Sequence, residues 1–228
     1  MSSDEQHLKG LYPYLYGEND RPGLNAALLE SIQQKSADSA KVKQDFFAHN
    51  AQQVIDTAVS IADVYRNSGC LFSMGNGGSS CDASHIAVEF MHPVTAGRPA
   101  LTAFNLAADT AMMTAVGNDI SFNHVFVRQL IAQASTGDGL IGISTSGNSE
   151  NLMAAFDKAR ELSMVTIGLS GMGGGKMAQS AAIDHCLVVA SDSIHRVQEC
   201  HVAIYHVLWD LVHTLLADER GKIRKNTK

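Results

Sequence analysis

Four short, almost wholly apolar runs govern what this chain can fold into: CLFSM (70–74), GLIGIS (139–144), VTIGLS (165–170) and CLVVA (186–190). Each is too short for a helix, and apolarity without alternation marks a strand covered on both faces, as in parallel sheets. Helical patterns lie between them, roughly over 79–91, 106–116, 122–134, 149–162 and 175–181, and ALTAF (100–104) reads as a fifth strand. This alternation predicts an α/β fold, a doubly wound three-layer sandwich with a parallel sheet and right-handed crossovers. In such sheets ligands settle beyond the carboxyl ends of the strands, where strand order reverses. Three of the runs end there in small-residue turns: GNGGSS, TSGNS and GMGGGK.

The first turn has the richest chemistry. Gly75, Gly77 and Gly78 carry no Cβ to block backbone N–H groups from crowding an anion, and Ser79 and Ser80 stand where a helix N-cap is expected. A helix starting there attracts phosphate at its N-terminus. It also projects His85 and Glu89, four residues apart, from nearly one face. The second turn, Ser144-Thr145-Ser146-Gly147-Asn148-Ser149, offers hydroxyl donors at an equivalent strand-to-helix junction, with Ser149 as its expected N-cap. Together the two turns point to phosphate binding. The third, GMGGGKMA, reads as a flexible connection.

The last helix, Arg196 to Leu216, is apolar over much of its surface and carries Gln198, His201, His206 and His213. Gln198 and His206 are eight residues apart, which at 3.6 residues per turn sets them about 80° apart around the axis and about two turns apart in height. Spacing alone singles out neither.

The expected organisation is an N-terminal arm over 1–23, one domain over 24–217 and a polar tail over 218–228. The arm holds LYPYLYGENDRPG. A helical pattern opens at Gly23 with Leu24, Leu28, Leu29 and Ile32 and resumes at Phe46, Phe47, Val54, Ile55, Val59 and Ile61. The polar stretch 36–45 is expected to separate two helices or bend one. Long helices with one apolar face pack on their own domain or pair with a second subunit.

A net charge of −6 argues against a general nucleic-acid binder. No apolar run reaches the ~18 residues of a membrane span, and MSSDEQHLKG shows no signal-peptide core. Cys70, Cys81, Cys186 and Cys200 are scattered, which favours a reducing, cytoplasmic setting and small buried hydrophobes over disulfides or a cysteine metal site.

Five ordered motifs, GNGGSSCDASHIAVEF (75–90), VGNDISFNHVF (116–126), GISTSGNSENL (142–152), GGGKMA (173–178) and RVQECHVAIYHVLWDLV (196–212), resemble the sugar isomerase (SIS) domain. Within it they are most similar to bacterial sedoheptulose-7-phosphate isomerases, also called phosphoheptose isomerases, from about residue 45 to 216. The resemblance implies a five-stranded parallel sheet, a homotetramer with active sites at subunit interfaces, and a zinc-assisted aldose–ketose isomerisation of a phosphorylated sugar through an enediol. It places zinc ligands on His85, Glu89, Gln198 and His206, and a proton-transfer pair on Glu89 and His206. Phosphate contacts fall on Ser79, Ser144, Thr145, Ser146 and Ser149. Asn76, Gly77, Asn118, Asp119 and Gln198 match positions near the sugar.

The chain departs from the family at two places. After the helix glutamate the family reads T-G-R-Y or T-G-R-F, where this chain has Phe90-Met91-His92-Pro93-Val94, so Pro93 replaces an arginine and Arg98 is the nearest one in sequence. Three residues before Gln198, His195 replaces an aspartate. Both changes concern substrate recognition. A non-catalytic relative that binds the bacterial replication initiator lacks the helix glutamate and the last-helix histidine; Glu89 and His206 favour catalysis here. Phosphosugar-sensing regulators carry a DNA-binding helix-turn-helix, and residues 1–45 show no basic recognition helix.

Overall fold

The five apolar segments form one sheet whose order and direction decide where a ligand can lie. The structure, a computed structural model, describes residues 21–217. Its strands are β1 (Leu71–Gly75), β2 (Ala103–Asn105), β3 (Gly139–Ser144), β4 (Val165–Gly171) and β5 (His185–Val189). They pair in the order β2-β1-β3-β4-β5, and every pairing is parallel. The chain leaves β1 towards β2, then crosses back to lay β3 on the other side of β1. Strand order therefore reverses between β1 and β3, and a crevice opens beyond their carboxyl ends.

The helices are α1 (Arg21–Arg66), α2 (Gly78–Met91), α3 (Thr110–Asp119), α4 (Val127–Gln133), α5 (Glu150–Glu161) and α6 (Ile194–Leu215). Successive strand residues face opposite ways, so the sheet feeds two cores. Leu71, Ile141, Ile167 and Leu187 join Phe46, Val54 and Ile61 of α1, Ile86 of α2 and Ile204 of α6 on one side. Phe72, Met74 and Leu140 join Val116 of α3, Leu130 of α4 and Phe156 of α5 on the other. Full burial of each such side chain contributes about 1.5–3 kcal/mol, which is why the strand runs carry no polar alternation.

The chain divides into two compact units, one ending at Ala40 and one beginning at Lys41. The helix expected to break over 36–45 is a single α-helix of 46 residues. Nothing in that polar stretch breaks a helix: it has neither Gly nor Pro, and the side chains of Gln34 and Asp38, and of Lys41 and Asp45, pair one turn apart. In the unit ending at Ala40, Leu24, Leu28, Leu29 and Ile32 are exposed. The expected arm over 1–23 lies outside the described residues up to residue 20, and its end is the first turn of α1; the tail over 218–228 also lies outside them.

Other boundaries shift for local reasons. The helix expected over 106–116 starts at Thr110, because Asp109 caps it by accepting from the Met112 N–H while Asn105 turns the chain before it. The pattern over 122–134 splits into a 3-10 turn (Phe122–His124), started by the Ser121 side chain, and α4. That over 175–181 shrinks to a 3-10 turn, Met177–Gln179. Cys70 and Cys200 are buried as expected, but Cys186 is only half-buried and Cys81 is exposed. Among the described residues no helix is long and apolar enough to cross a membrane.

Candidate active site

The turns after β1 and β3 flank the crevice and are tied to each other. Asn76, following β1, exchanges two amide hydrogen bonds of 2.9 Å with Asn151 in the first turn of α5. Each turn then leads into a helix whose N-cap residue makes no side-chain capping bond. The N-cap of α2 is Gly77, not a serine: its φ of +54 lies in the left-handed region, where glycine is favoured. Ser79 and Ser80 thus sit inside the first turn, with Ser79 buried. Ser149 does occupy the N-cap position of α5, but its hydroxyl makes no capping bond and instead lies 3.0 Å from Ser144 Oγ. Two helix N-termini whose N-cap residues make no side-chain bond meet beside clustered hydroxyls, an arrangement suited to seat an anion because the helix dipoles favour negative charge there.

The third glycine turn is no loose connection. Met177 N–H donates to Gly147 O at 3.0 Å and Lys176 N–H to Asn148 Oδ1 at 3.0 Å, bracing the second turn from behind. Gly147 has a φ of +65, and a Cβ there would stand 2.0 Å from Gly174 O. The two glycine-containing turns interlock, with no room for a side chain at the contact.

Behind the seat, α2 and α6 run side by side in parallel. Gly78 faces Gln198, His85 Nδ1 lies 2.7 Å from the Tyr205 hydroxyl, and Trp209 Nε1 donates to Glu89 O at 2.8 Å. The offset is 120 residues at each hydrogen bond. This register brings His85 and Glu89 to His206. Ligand atoms of all three lie within 4.8 Å of one another. His85 Nε2 is 3.1 Å from Glu89 Oε1, and the His85 and His206 rings meet edge to face at 5.0 Å. The His85 and Glu89 side chains remain 41% and 21% exposed, so the group is open to a ligand. Burial, then the nearby His85, push the His206 pKa down against the opposing pull of Glu89. A neutral His206 at pH 7 has a lone pair with which to take a proton or a cation.

Gln198 is held apart from this trio. Its amide nitrogen would be 2.4 Å from a Cβ on Gly78, at the start of α2, seven residues before His85. It stands beside the anion seat, about two turns from the His/Glu group. Thr145 and Ser146 are half-buried in the second turn, where Ser146 Oγ accepts from Asn148 N–H at 3.3 Å. Asn118 and Asp119 lie exposed at the end of α3, joined to each other at 2.8 Å. No hydrogen bond among the described residues links them to the turns or to the trio. Arg98 is held over the Trp209 ring at 4.3 Å and paired with Asp210, one turn past His206. His195 is exposed in the first turn of α6.

Sequence reasoning missed Asn151 and Tyr205. A tyrosine within an apolar helix gives a usable signal, because a buried phenol finds a partner. Asn151 gives none until its helix is set against the first turn.

A set of one carboxylate and two imidazoles suits zinc, which accepts nitrogen and carboxylate oxygen and needs an open position for chemistry. Among the described residues this is the one group of three or more His, Cys, Asp or Glu side chains close enough to share an ion.

Comparison with known proteins identifies the chain's relatives. The SIS domain family matches residues 36–171. The phosphoheptose isomerase of Desulfovibrio desulfuricans is 43% identical over 189 residues, covering 82% of this chain and 89% of that protein. That of Aquifex aeolicus is 40% identical over 191 residues, covering 84% and 99%. Among solved structures, the phosphoheptose isomerase of Neisseria gonorrhoeae superposes with a TM-score of 0.76 at 35% identity, covering 82% of this chain and 99% of that one. The enzyme of Francisella tularensis does so with 0.77 at 31%, covering 82% and 98%. The fold, the ordered motifs and these likenesses coincide: the chain belongs to the SIS-domain family, in its phosphoheptose isomerase branch.

Proposed function

We propose that this protein is a sugar-phosphate aldose–ketose isomerase that interconverts sedoheptulose 7-phosphate and D-glycero-D-manno-heptose 7-phosphate in heptose biosynthesis. The observation that carries the reading is the His85, Glu89 and His206 group set behind two helix N-termini whose N-cap residues make no side-chain bond. His85 lies seven residues into α2, about 10 Å along the axis, and its side chain leans back towards the N-terminus. A phosphate in the seat and a carbonyl at the trio are thus separated by roughly the length of an extended sugar of about seven carbons.

In this reading the phosphate is held by the N–H groups opening α2 and α5 and by Ser79, Ser144, Thr145, Ser146 and Ser149. Asn76 and Gly77 shape the first turn, Gln198 reaches the sugar between phosphate and trio, and Asn118 and Asp119 meet it from the end of α3. Glu89 takes the proton from the carbon beside the carbonyl. The electron pair left behind forms the enediol double bond, and the same carboxylate returns the proton to the neighbouring carbon. His206, neutral at pH 7, carries the proton exchanged between the two oxygens. His85, Glu89 and His206 would hold Zn2+; the family pattern adds Gln198, whose amide here lies beside Gly78, about two turns from the trio. The ion supplies charge stabilisation to the developing oxyanion. We place the protein in the cytoplasm, on its scattered cysteines, and as a homotetramer, with the exposed stripe of α1 supporting assembly.

The test is a panel of ketose phosphates of different lengths, assayed with and without chelator, on wild type and Glu89→Gln. The expected result is turnover of the heptulose phosphate, lost on chelation, restored by zinc and absent in Glu89→Gln, which should melt like wild type. Isomerisation of none of the panel, or near-full activity in Glu89→Gln, would overturn the reading.

A further inference from the structure

We propose that Tyr205 is the positioning residue of this site: its hydroxyl holds the His85 ring at Nδ1, so that Nε2 faces the space shared with Glu89 and His206. The inference rests on the metal reading above and adds a residue to it.

The Tyr205 hydroxyl and His85 Nδ1 are 2.7 Å apart, a strong hydrogen bond. Tyr205 itself is 3% exposed and belongs to the core cluster of α1, α2 and α6, so the hydroxyl is presented from a fixed ring. Its ring meets both imidazoles edge to face, His85 at 5.4 Å and His206 at 4.9 Å. One phenol thus orients two members of the trio. Below it, the Trp209 bond to Glu89 O fixes the third member's backbone in the same helix register.

The chemistry requires a group of this type. An imidazole that offers Nε2 to a cation keeps its proton on Nδ1, and that N–H is ordinarily given to a partner that fixes tautomer and orientation. A hydroxyl can accept that bond, and it can equally donate to Nδ1 when Nε2–H turns to Glu89, 3.1 Å away. Tyr205 can therefore remain bonded to His85 in either tautomer. A carboxylate could only accept. Asp82, one turn before His85, has a buried Oδ2 with no hydrogen-bond partner and adds negative charge behind the ring.

Tyr205→Phe keeps the ring and removes the bond. Zinc affinity, measured by chelator competition on the purified chain, should fall by about 10- to 100-fold. The melting of the metal-free protein should stay at the wild-type value, and KM for the phosphorylated sugar should hold while kcat drops. A merely structural role would shift melting first. Wild-type zinc affinity in Tyr205→Phe overturns the proposal, provided His85→Ala loses zinc; absence of zinc binding in the wild type overturns the metal reading and this inference together. If Tyr205→Phe fails to fold, the wild type decides by NMR. With zinc bound, the His85 Nδ1 proton should be visible and slow to exchange with water, and a fast-exchanging or absent proton overturns the assignment.

Discussion

At the residue scale, Gly78 shows how closely α2 and α6 are matched. A methyl group there would come 2.4 Å from Gln198 Nε2, the end of a flexible side chain that can swing aside. Alanine also suits a helix better than glycine, by up to about 1 kcal/mol. Gly78→Ala is therefore expected to melt no lower than wild type while displacing the Gln198 amide, and kcat/KM should fall at least about tenfold, about 1.4 kcal/mol of transition-state stabilisation. The check is additivity: if Gln198 works through this contact, Gly78→Ala with Gln198→Ala is no worse than Gln198→Ala alone. Full activity in Gly78→Ala would show that the amide is not used where it now lies. Residue types and turns showed His85, Glu89 and the serines directly, because a glycine turn and an i, i+4 pair are local patterns. Gln198 and His206 came from family resemblance alone. Their value depends on the register of α6 against α2, which spacing within α6 does not encode.

At the element scale the strands were readable and the helix ends less so. A parallel strand covered on both faces has to be apolar throughout, so β1, β3, β4 and β5 lie within a residue of the apolar runs. Helix ends answer to single side chains such as Asp109, which a periodicity count averages away. The long α1 fails in the opposite direction: a polar stretch resembles a break until one asks what would break it. Its Leu24, Leu28, Leu29 and Ile32 keep helical spacing while exposed, and an apolar stripe of this kind is the sort that pairs with another chain. Under the homotetramer proposed above, Leu28→Lys combined with Ile32→Lys is expected to lower the mass measured by sedimentation equilibrium below four chains, with far-ultraviolet circular dichroism unchanged. An unaltered mass would remove the stripe from the assembly.

At the scale of the whole molecule, pH bears on the fold through His201. It is wholly buried, with Nε2 at 3.0 Å from Ser170 O and Nδ1 without a hydrogen-bond partner, and burial lowers its pKa to about 4 from 6.5. Below 6.5 the unfolded chain binds a proton that the folded one refuses, so the stabilisation is whole above 6.5 and drains away as pH falls to about 4. From pH 7 to pH 4 the loss is about 3 kcal/mol. The stability advantage of wild type over His201→Asn, from urea melts, should shrink by that amount over the interval; a constant difference would mean that His201 titrates normally. The last helix carries more than this. Besides Gln198, Tyr205 and His206, α6 contributes Val197, Cys200, Ile204, Leu208, Trp209 and Val212 to one of the two cores. As the chain leaves the ribosome, the strands and both turns precede α6, while the side of the sheet that α1 and α2 share with it still lacks its last helix. Residues 194–215 supply both the remaining cover of that side and His206 of the His/Glu group. On the reading proposed above, a chain stopped before α6 lacks His206 and Gln198, so turnover would itself report synthesis through that helix.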